Sequence, residues 1–351
     1  MKKILMITQK VDRDDSVLGI YHEWIREMAL KVDVLNVICL YKGSFDLPKN
    51  VHVFSLEKER GRKNKFFYIL RFYSILFKLR GEYGTVFVHM NPEYLFLAGW
   101  LWKILNKKII FWYNHPKAGI LARLGFWLSD VVLATSVKAV AFKISKKTQL
   151  MPVGILDYEV DTFIIKDYKK LNILYLGRIS PVKNIDILIR AVHLLNNDGY
   201  DFALNIVGSP TDRGEDINYD KFIKDEIDKF NLQKKVKFIE AVPHNQINKF
   251  YENSNVFVNL TDKGSMDKTI FEAMIFRCLA LTSNVDMNPA LPFDLADFMR
   301  VDINEVSLYS ALKRLYNLDK EYINKMIKKE VEYVRENHIL GVLVKKLARI
   351  F

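Results

Sequence analysis

Residues 255–276, NVFVNLTDKGSMDKTIFEAMIF, contain an apolar strand pattern, a short polar turn and an amphipathic helix pattern. A polar turn between a strand and a helix places several backbone N–H groups at the helix N-terminus, where they can bind an anion. Glu272 lies one to two turns inside the helix and can reach a ligand held at that terminus. Ordinary strand-to-helix connections show the same pattern. The stretch therefore predicts a βα unit, with an anion site as one possible use of it.

Similar βα units recur along the whole chain. Their strand patterns are nearly continuous apolar runs, which are typical of parallel strands covered on both faces. Two successive series of such units predict an α/β protein with two doubly wound parallel-sheet domains. The expected strands are Lys3–Thr8, Val34–Leu40, Val51–Phe54, Val86–His89, Ile109–Tyr113 and Val131–Ala134 in the first series, and Asn172–Leu176, Ala203–Val207, Val236–Ile239, Val256–Leu260 and Leu279–Thr282 in the second.

The polar segment 157–170 has no clear periodicity and is the expected linker. We expect one Rossmann-like domain over residues 1–160 and another over 166–334. The last helix pattern begins near Glu330, and its part over about 335–351 is expected to pack back onto the first domain. Ligands of such sheets bind beyond the carboxyl ends of the strands, so a cleft between two facing domains is the expected active site.

The composition is that of a folded protein: 50% of the 351 residues are hydrophobic and 27% are charged. No apolar run approaches the length of a membrane-spanning helix. The apolar run near the N-terminus, Ile4 to Ile7, suits a buried strand and is too short for a signal peptide. We therefore expect a cytoplasmic protein. Its two cysteines, Cys39 and Cys278, are expected to be buried, reduced thiols.

The net charge of +12 requires an anionic partner, and nucleic acid and anionic lipid are the usual ones. Residues 58–80, KERGRKNKFFYILRFYSILFKLR, interleave basic and aromatic residues. This pattern predicts a helix that lies on an anionic membrane surface. A core helix with a solvated lysine face is the alternative. Nucleic acid is not expected as a partner, because no recognised binding module is present.

Two loops of the first half carry candidate binding residues. After the first strand, Asp14 is expected to bind hydroxyl groups of an acceptor, and Gly19 either lets a ligand approach the backbone or simply starts a helix. The spacing of Asp12 and Asp14 is only a weak metal signal, and we expect no metal site. After the Ile109–Tyr113 strand, Asn114 and His115 can orient an acceptor or the transferred sugar. A structural histidine bonded to nearby backbone is the alternative for His115.

The loop after the strand at 172–176 contains Gly177-Arg178-Ile179-Ser180-Pro181-Val182-Lys183. Ser180 suits an N-cap and Pro181 suits the first helical position, so a helix is expected to begin there. Arg178 and Lys183 flank that N-terminus and can bind a pyrophosphate. A solvated surface pair is the alternative. Gly208, after the next strand, is expected near a nucleotide base.

Several runs of the second half together resemble glycosyltransferase family 4. These enzymes use nucleotide sugars, retain the anomeric configuration and have the GT-B architecture of two facing Rossmann-like domains with a cleft between them. The resemblance is strongest over residues 170–285 and is looser in the first half, where it rests on Gly19 and the strand end Trp112 to His115. The runs that carry it are LNILYLGRISPVKNIDILIRAV (171–192), IVGSP (206–210), NSNVFVNLT (253–261), GSMDKTIFEAM (264–274) and LALTS (279–283).

The resemblance implies that Arg178 and Lys183 bind the donor diphosphate, Glu272 holds the ribose hydroxyls, and His115 contacts the sugar or the acceptor. These four are the candidate catalytic residues. The donor-binding residues are expected to be Gly177, Arg178, Lys183, Gly208, Ser265, Met266, Asp267, Lys268, Thr269 and Glu272, and the acceptor-binding residues Asp14, Gly19, Asn114 and His115.

The sequence departs from the family at Gly264. The family often has two glutamates separated by seven residues, and the first of them would stand at this position. Either the Asp267 carboxylate takes its place or Lys268 makes the donor contacts instead. This departure affects the expected sugar more than the expected fold.

We therefore expect a metal-independent, cofactor-free, retaining glycosyltransferase of the hexosyltransferase type. It would transfer a sugar from a nucleotide-sugar donor to an acceptor hydroxyl, on a lipid-linked saccharide or a precursor of a cell-surface polysaccharide. A cytoplasmic location, peripheral on the inner face of the cell membrane, would suit residues 58–80. The alternatives are a sugar-nucleotide epimerase or hydrolase of the same architecture, and a non-catalytic nucleotide-binding or scaffold protein.

Overall fold

A computed structural model describes residues 2–61, 64–115, 118–139, 145–159, 166–262, 264, 266–287 and 291–351. Over these residues every strand pairing in the two sheets is parallel. The strands are β1 (Lys3–Val11), β2 (Val34–Lys42), β3 (Val51–Ser55), β4 (Thr85–His89), β5 (Lys108–Trp112), β6 (Val131–Ala134), β7 (Thr148–Leu150), β8 (Leu171–Leu176), β9 (Phe202–Val207), β10 (Val236–Ile239), β11 (Val256–Asn259) and β12 (Leu279–Thr282).

The described part of the chain also contains twelve α-helices, of which the last four follow one another after β12. They are α1 (Ile20–Ala29), α2 (Lys65–Leu79), α3 (Pro92–Ile104), α4 (Ile120–Leu128), α5 (Ile185–Asn197), α6 (Gly214–Lys229), α7 (Asn248–Glu252), α8 (Lys268–Ile275), α9 (Phe293–Met299), α10 (Glu305–Asn317), α11 (Lys320–Asn337) and α12 (Leu340–Ile350). None of the described helices is both long enough and apolar enough to cross a membrane.

The chain forms two compact units. Unit 1 comprises Met1–Gly154, Pro243–Asn245 and Leu340–Phe351, and unit 2 comprises Ile155–Val242 and Gln246–Ile339. The sheet of unit 1 has the order β3-β2-β1-β4-β5-β6-β7, and the sheet of unit 2 has the order β10-β9-β8-β11-β12. In both sheets the first strand of the series lies inside the sheet, as in doubly wound folds.

One face of the unit 1 sheet is covered by α2, α3 and α4. Alternate strand residues, such as Leu5 and Ile7, point into the core that these helices complete with Phe72, Trp102 and Ala122. The close contact of α3 and α4 depends on small residues. A Cβ atom at Gly99 would lie 2.8 Å from Leu128 Cδ1, and one at Gly125 would lie 2.9 Å from Leu95 Cδ1.

The last helix, α12, belongs to unit 1 and packs against α1. Gly154 contacts α1, because Trp24 Nε1 donates to the Gly154 carbonyl at 2.8 Å. The end of α12 is held by Lys108 Nζ, which donates to the Ile350 carbonyl at 2.6 Å. Packing against α1 and the Lys108 hydrogen bond therefore hold α12 in unit 1.

In unit 2, Lys166 ties together the ends of two helices. Its ammonium donates to the carbonyls of Tyr251, Ser254 and Phe276 at 3.0, 2.5 and 2.9 Å. Carbonyl groups that follow the last turn of a helix have no partner within the helix, and a lysine that donates to them satisfies them. Lys166 therefore joins the end of α7 to the end of α8.

The eleven expected strands are all present, with ends shifted by at most three residues. The short edge strand β7 was not expected. The single helix pattern from about Glu330 was wrong, because the chain breaks at His338 and Ile339 into α11 and α12. The expected buried thiols are confirmed, since Cys39 and Cys278 are free and buried.

We expect Gly154→Ala to lower the free energy of unfolding by about 1–3 kcal/mol, since Gly154 has a left-handed backbone that other residues rarely adopt. Its φ is +73°, and an added Cβ would also lie 2.4 Å from Leu343 Cδ2 and 2.8 Å from Trp24 Cζ2. Urea denaturation followed by tryptophan fluorescence measures the loss.

Two further glycines of unit 1 separate the effect of the left-handed backbone from the effect of the steric contacts. Gly61 has the same φ of +73° with no neighbour within 4 Å, and Gly81 has neither constraint. The loss should therefore decrease in the order Gly154→Ala, Gly61→Ala, Gly81→Ala. An equal loss at Gly154 and Gly61 would contradict the packing of α12 against Trp24 and Gly154.

Candidate functional site

The candidate site of unit 2 is built at the carboxyl ends of β8, β9 and β11, which are neighbours in the sheet. Each of these strands is followed by a loop that leads into a helix. The loops bring together Gly177, Arg178 and Lys183 after β8, Gly208 after β9, and Thr261 and the start of α8 after β11, beside Asn259 at the last position of β11.

Lys183 and Asp267 form the ion pair at the centre of this site. Lys183 Nζ lies 2.6 Å from Asp267 Oδ2 and donates to Thr261 Oγ1 at 3.0 Å. The same Asp267 oxygen also accepts from Asn259 Nδ2 at 2.8 Å and from Thr261 Oγ1 at 3.0 Å. The loop after β8 is therefore joined to the end of β11 and to the loop that follows it by charged and polar side chains. We call these four residues the polar network.

The geometry of the loop after β8 differs from the prediction. Ser180 does not cap a helix with its side chain. A 3-10 turn over Pro181–Lys183 follows it, and α5 begins only at Ile185. Between them Asn184 has φ +51°, and its Nδ2 donates to the Leu260 carbonyl at 2.7 Å. This turn directs the Lys183 side chain towards β11 and α8.

Asp267 occupies the N-cap position of α8, but its side chain does not cap that helix. The carboxylate instead contacts Lys183, Asn259 and Thr261, so the first turn of α8 receives no cap from Asp267. Burial raises the pKa of the Asp267 carboxyl, but the charge of Lys183 and the hydrogen bonds of the network outweigh it, so the pKa lies below its usual range. The carboxylate is therefore ionised at neutral pH.

Gly208 is required by the close approach of two loops. A Cβ atom there would lie 1.9 Å from the Gly177 carbonyl oxygen, so only glycine fits. On the other side of the loop, the Tyr175 hydroxyl donates to the Arg178 carbonyl at 2.7 Å. The Arg178 backbone is thereby fixed while the residue itself is exposed. An exposed guanidinium on a fixed backbone suits a role in ligand binding.

Glu272 lies inside α8 and is 2% exposed. Its Oε2 accepts from the Tyr251 hydroxyl at 3.0 Å. Near it, burial lowers the pKa of the Lys268 ammonium to about 7, against the opposing effect of the Glu272 charge. Of the remaining predicted donor residues, Met266 is buried, Thr269 lies in the first turn of α8, and Ser265 lies outside the described residues.

The backbone at Gly264 explains the departure from the family pattern. Its φ is +112°, a conformation that favours glycine over a glutamate. Its N–H donates to Asp286 Oδ2 at 2.8 Å, and Asp286 is buried. Of the two residues proposed to take the place of the missing glutamate, Asp267 has its carboxylate within the polar network.

Three polar residues of the site were not predicted as site residues. Asn259 is the last residue of β11 and Thr261 lies two residues beyond it. Their position at the end of a central strand was the signal in the sequence that could have identified them. Asp216, in α6, is buried. Its Oδ2 accepts from Thr211 Oγ1 at 2.5 Å, and the Ser180 side chain contributes a further hydrogen bond to the carboxylate. The Thr211 hydrogen bond lowers the pKa of Asp216.

The predicted residues of unit 1 lie after β1 and β5. Asp14 and His115 are exposed. Gly19 is the N-cap residue of α1, and an added Cβ would lie 2.5 Å from the Asp15 carbonyl oxygen, so glycine is needed there by its own loop. Asn114 Oδ1 accepts from the Thr135 hydroxyl at 2.8 Å and joins the ends of β5 and β6. The acceptor roles of these residues stay predictions.

Residues 161–292 match the family model described as "Glycosyl transferases group 1". This segment contains the whole polar network and Arg178, Gly208 and Glu272. It is less than half of the chain. No curated protein has a significant sequence match to the chain.

Solved structures with the same fold cover nearly the whole chain. HepE from Anabaena in complex with UDP and glucose has a TM-score of 0.74 and 13% identity, over 100% of this chain and 99% of its own. A sucrose-phosphate synthase from Thermosynechococcus elongatus has a TM-score of 0.74 and 15% identity, over 100% and 98%. A glycosyltransferase from Rickettsia africae has a TM-score of 0.73 and 15% identity, over 99% and 97%.

These neighbours share two parallel-sheet α/β domains with this chain. The predicted GT-B fold class is confirmed. Because the sequence identities are low, the likeness to these structures establishes the fold alone. The match of residues 161–292 to the group 1 family model is separate evidence from the sequence. Together they support a glycosyltransferase rather than an unrelated nucleotide-binding protein.

We expect Asp267→Asn to lower the free energy of unfolding by about 1–3 kcal/mol at about pH 7, because it leaves the half-buried Lys183 ammonium without its carboxylate. The folded-state pKa of Asp267 lies below its unfolded value of about 3.9. The contribution is therefore present above about pH 4 and is lost as the pH falls through the folded-state pKa. Urea denaturation of the wild type and the variant at about pH 7 and about pH 3 measures the stability difference and its loss in acid.

The control is Asp225→Asn, at an exposed position of α6. It removes the same charge and should change the stability little at either pH. If Asp267→Asn lowered the free energy of unfolding as little as Asp225→Asn at neutral pH, the polar network would not stabilise unit 2.

Proposed function

We propose that the protein is a retaining glycosyltransferase that moves a sugar from a nucleotide-sugar donor to an acceptor hydroxyl. The polar network around Lys183, at the carboxyl ends of β8 and β11, is the observation that carries this proposal. It fixes a cation beside the start of α8, whose N-terminal backbone amides attract anions. Its place within the segment that matches group 1 glycosyltransferases supports the same function.

The proposed site binds the donor diphosphate through Lys183, Arg178 and the first turn of α8. A lysine ammonium has three donors, and two of those of Lys183 contact Thr261 and Asp267. The third has no acceptor among the residues that the structure describes and can donate to a phosphate oxygen. Charges placed in advance around the diphosphate stabilise it as it leaves the sugar.

The reaction needs no protein nucleophile in this proposal. The leaving phosphate takes the proton of the acceptor hydroxyl on the face from which it departs, and the anomeric configuration is retained. The protein positions both substrates and stabilises the diphosphate. It requires no metal ion and no cofactor, because Arg178, Lys183 and the α8 amides supply the positive charge.

The donor is a nucleoside diphosphate sugar. Structures of HepE hold UDP-glucose or UDP with glucose, which makes UDP a suitable first probe for this chain. Glu272 is proposed to hold the ribose hydroxyls. Asp267 and Lys268, at the first turn of α8, are proposed to contact the sugar in place of the missing glutamate. Because Gly264 stands in place of the first glutamate, we propose that the enzyme transfers a different sugar from family members that have both glutamates.

The acceptor is proposed to be a lipid-linked saccharide or a polysaccharide precursor at an anionic membrane. Residues 58–80 were expected to provide the membrane contact. Most of them form α2. However, α2 also supplies Phe72, Ile75, Leu76 and Leu79 to the core, so only its outer face is available. That face exposes Phe66, Leu70 and Phe77.

The neighbouring helices extend this apolar surface, which sequence reasoning missed. Large apolar residues that are more than half exposed lie on all three helices of the layer that covers one face of the unit 1 sheet. We call this set the outer apolar face. It comprises Phe66, Leu70 and Phe77 on α2, Phe96, Trp100 and Ile104 on α3, and Ile120 and Trp127 on α4.

Charge favours an anionic lipid surface over a protein partner for the outer apolar face. The three helices carry five basic residues and one acidic residue, Glu93. Exposed tryptophans surrounded by basic side chains are typical of the membrane interface. This arrangement supports a protein that works at the membrane surface while its chemistry takes place in polar loops.

The diphosphate site can be tested with two variants that break the same ion pair. Lys183→Ala should weaken UDP binding about 10- to 100-fold, as expected for loss of a charged hydrogen bond. Asp267→Asn removes a negative charge beside the proposed phosphate position, and should leave UDP binding unchanged or tighter. Isothermal titration calorimetry measures both affinities.

Opposite effects of the two variants would separate phosphate binding from a general loss of folding, which both would share. Lys221→Ala, an exposed lysine of α6, is the matched charge control and should bind like the wild type. Equal weakening by Lys183→Ala and Asp267→Asn would contradict the assigned role of Lys183. UDP binding without sugar transfer from any UDP-sugar would favour the non-catalytic alternative.

A further inference from the structure

Unit 1 contains a cavity of about 520 Å³ that none of the predicted site residues lines. It lies between the ends of β2 and β3, the turn that follows β3, and one side of α2. Its volume is that of a site for a small ligand. The lining residues are Lys42, Val53, Phe54, Ser55, Glu57, Glu59, Arg60, Arg71, Ser74, Ile75 and Lys78.

The wall of the cavity is fixed by a buried carboxylate. Glu57 has a left-handed backbone with φ +69°, a conformation that costs free energy for a residue other than glycine. Its side chain contacts two arginines, with Glu57 Oε1 at 3.1 Å from Arg60 and at 3.0 Å from Arg71. Arg71 Nε also donates to the Ser55 carbonyl at 2.7 Å. Both guanidinium groups are therefore held at the cavity by one carboxylate.

The second carboxylate is also engaged. Glu59 Oε2 accepts from the Ser55 hydroxyl at 2.8 Å and from the Lys42 backbone N–H at 3.2 Å. Lys42 and Lys78, in contrast, have no ion pair of 4.0 Å or less to a residue that the structure describes, although the charge of Lys42 helps to lower the pKa of Glu59. Four cations and two carboxylates leave an excess of two positive charges in the cavity, and this excess matches one phosphate group.

The cavity adjoins the outer apolar face on the same helix. Arg71, Ser74 and Lys78 are spaced three and four residues apart and therefore share one side of α2. Leu70 and Phe77 lie next to them on the outer side, and Ser74 is exposed between the two sides. A phosphate in this cavity would thus lie at the edge of the surface proposed to contact lipid.

We propose that this cavity binds the phosphate of an anionic lipid headgroup while the outer apolar face lies on the membrane. Charge complementarity, the size of the cavity and its position beside exposed Leu70 and Phe77 select this ligand. The inference rests on the membrane contact within the proposed function and adds a specific headgroup site to it.

The test compares two kinds of vesicle with the same surface charge. Both have a phosphatidylcholine background, and one contains phosphatidic acid while the other contains oleate, an anion without a phosphate. Wild-type protein should bind the phosphatidic acid vesicles about tenfold more tightly than the oleate vesicles in a flotation assay, as expected for two lysines near one phosphate.

The double variant Lys42→Gln/Lys78→Gln should lose this preference and bind both vesicles alike. It leaves the Glu57–Arg60–Arg71 contacts in place, so folding should be unaffected. Lys31→Gln/Lys49→Gln removes the same charge from exposed positions of unit 1 outside the cavity and should keep the preference. Leu70→Ser/Phe77→Ser should weaken binding to both vesicles and keep the ratio.

Each outcome has a distinct meaning. Equal binding of the wild type to both vesicles would overturn the headgroup site but not the membrane contact. No binding to either would overturn the membrane contact, and the headgroup site with it. If inorganic phosphate bound to the free protein through Lys42 and Lys78 while the vesicle preference was absent, the cavity would hold a soluble phosphate and the lipid assignment would be wrong.

Discussion

The ion pair between Lys183 and Asp267 is the interaction on which the arrangement of the site in unit 2 depends. It joins the loop after β8 to the start of α8, at 2.6 Å, and Thr261 brings in the end of β11. Charges that are mostly removed from water stabilise a structure only when each is paired and hydrogen bonded. Asp267 meets this condition with three partners. The cost is that α8 begins without a side-chain cap, and this first turn is where a ligand anion can serve instead.

Much of the fold could be predicted because buried parallel strands leave a direct signal in the sequence. Continuous apolar runs identified eleven strands, and the order of strands and helices gave two doubly wound sheets. The helix ends were less predictable. Ser180 and Pro181 have the residue types of a helix start, yet the side chain of Asn184 bonds to the Leu260 carbonyl and α5 starts after it. A contact with the residue that follows β11, far along the chain, thus accompanies a helix start that the local residue types did not predict.

The sequence predicted where the candidate site lies in the fold, but it did not predict the contacts between the residues of the site. Arg178, Lys183 and Glu272 were identified because they follow strands whose carboxyl ends share one edge of the sheet. The network around Asp267 depends on how the loop after β8 meets β11 and the loop that follows it, and no local pattern contains this arrangement. The φ of Gly264 likewise shows why a glutamate is absent there only once the backbone is known. In unit 1, the helix pattern of α3 did not reveal that Phe96, Trp100 and Ile104 face outward, because periodicity identifies an apolar stripe but not what covers it.

The central claim is that Lys183, held by Asp267, binds the diphosphate of a nucleotide sugar. A crystal structure of the protein with a bound nucleoside diphosphate tests it most directly. The account predicts a phosphate oxygen within hydrogen-bond distance of Lys183 Nζ, with the phosphates at the first turn of α8 and the ribose near Glu272. A nucleotide bound elsewhere, with Lys183 contacting only Asp267 and Thr261, would contradict it.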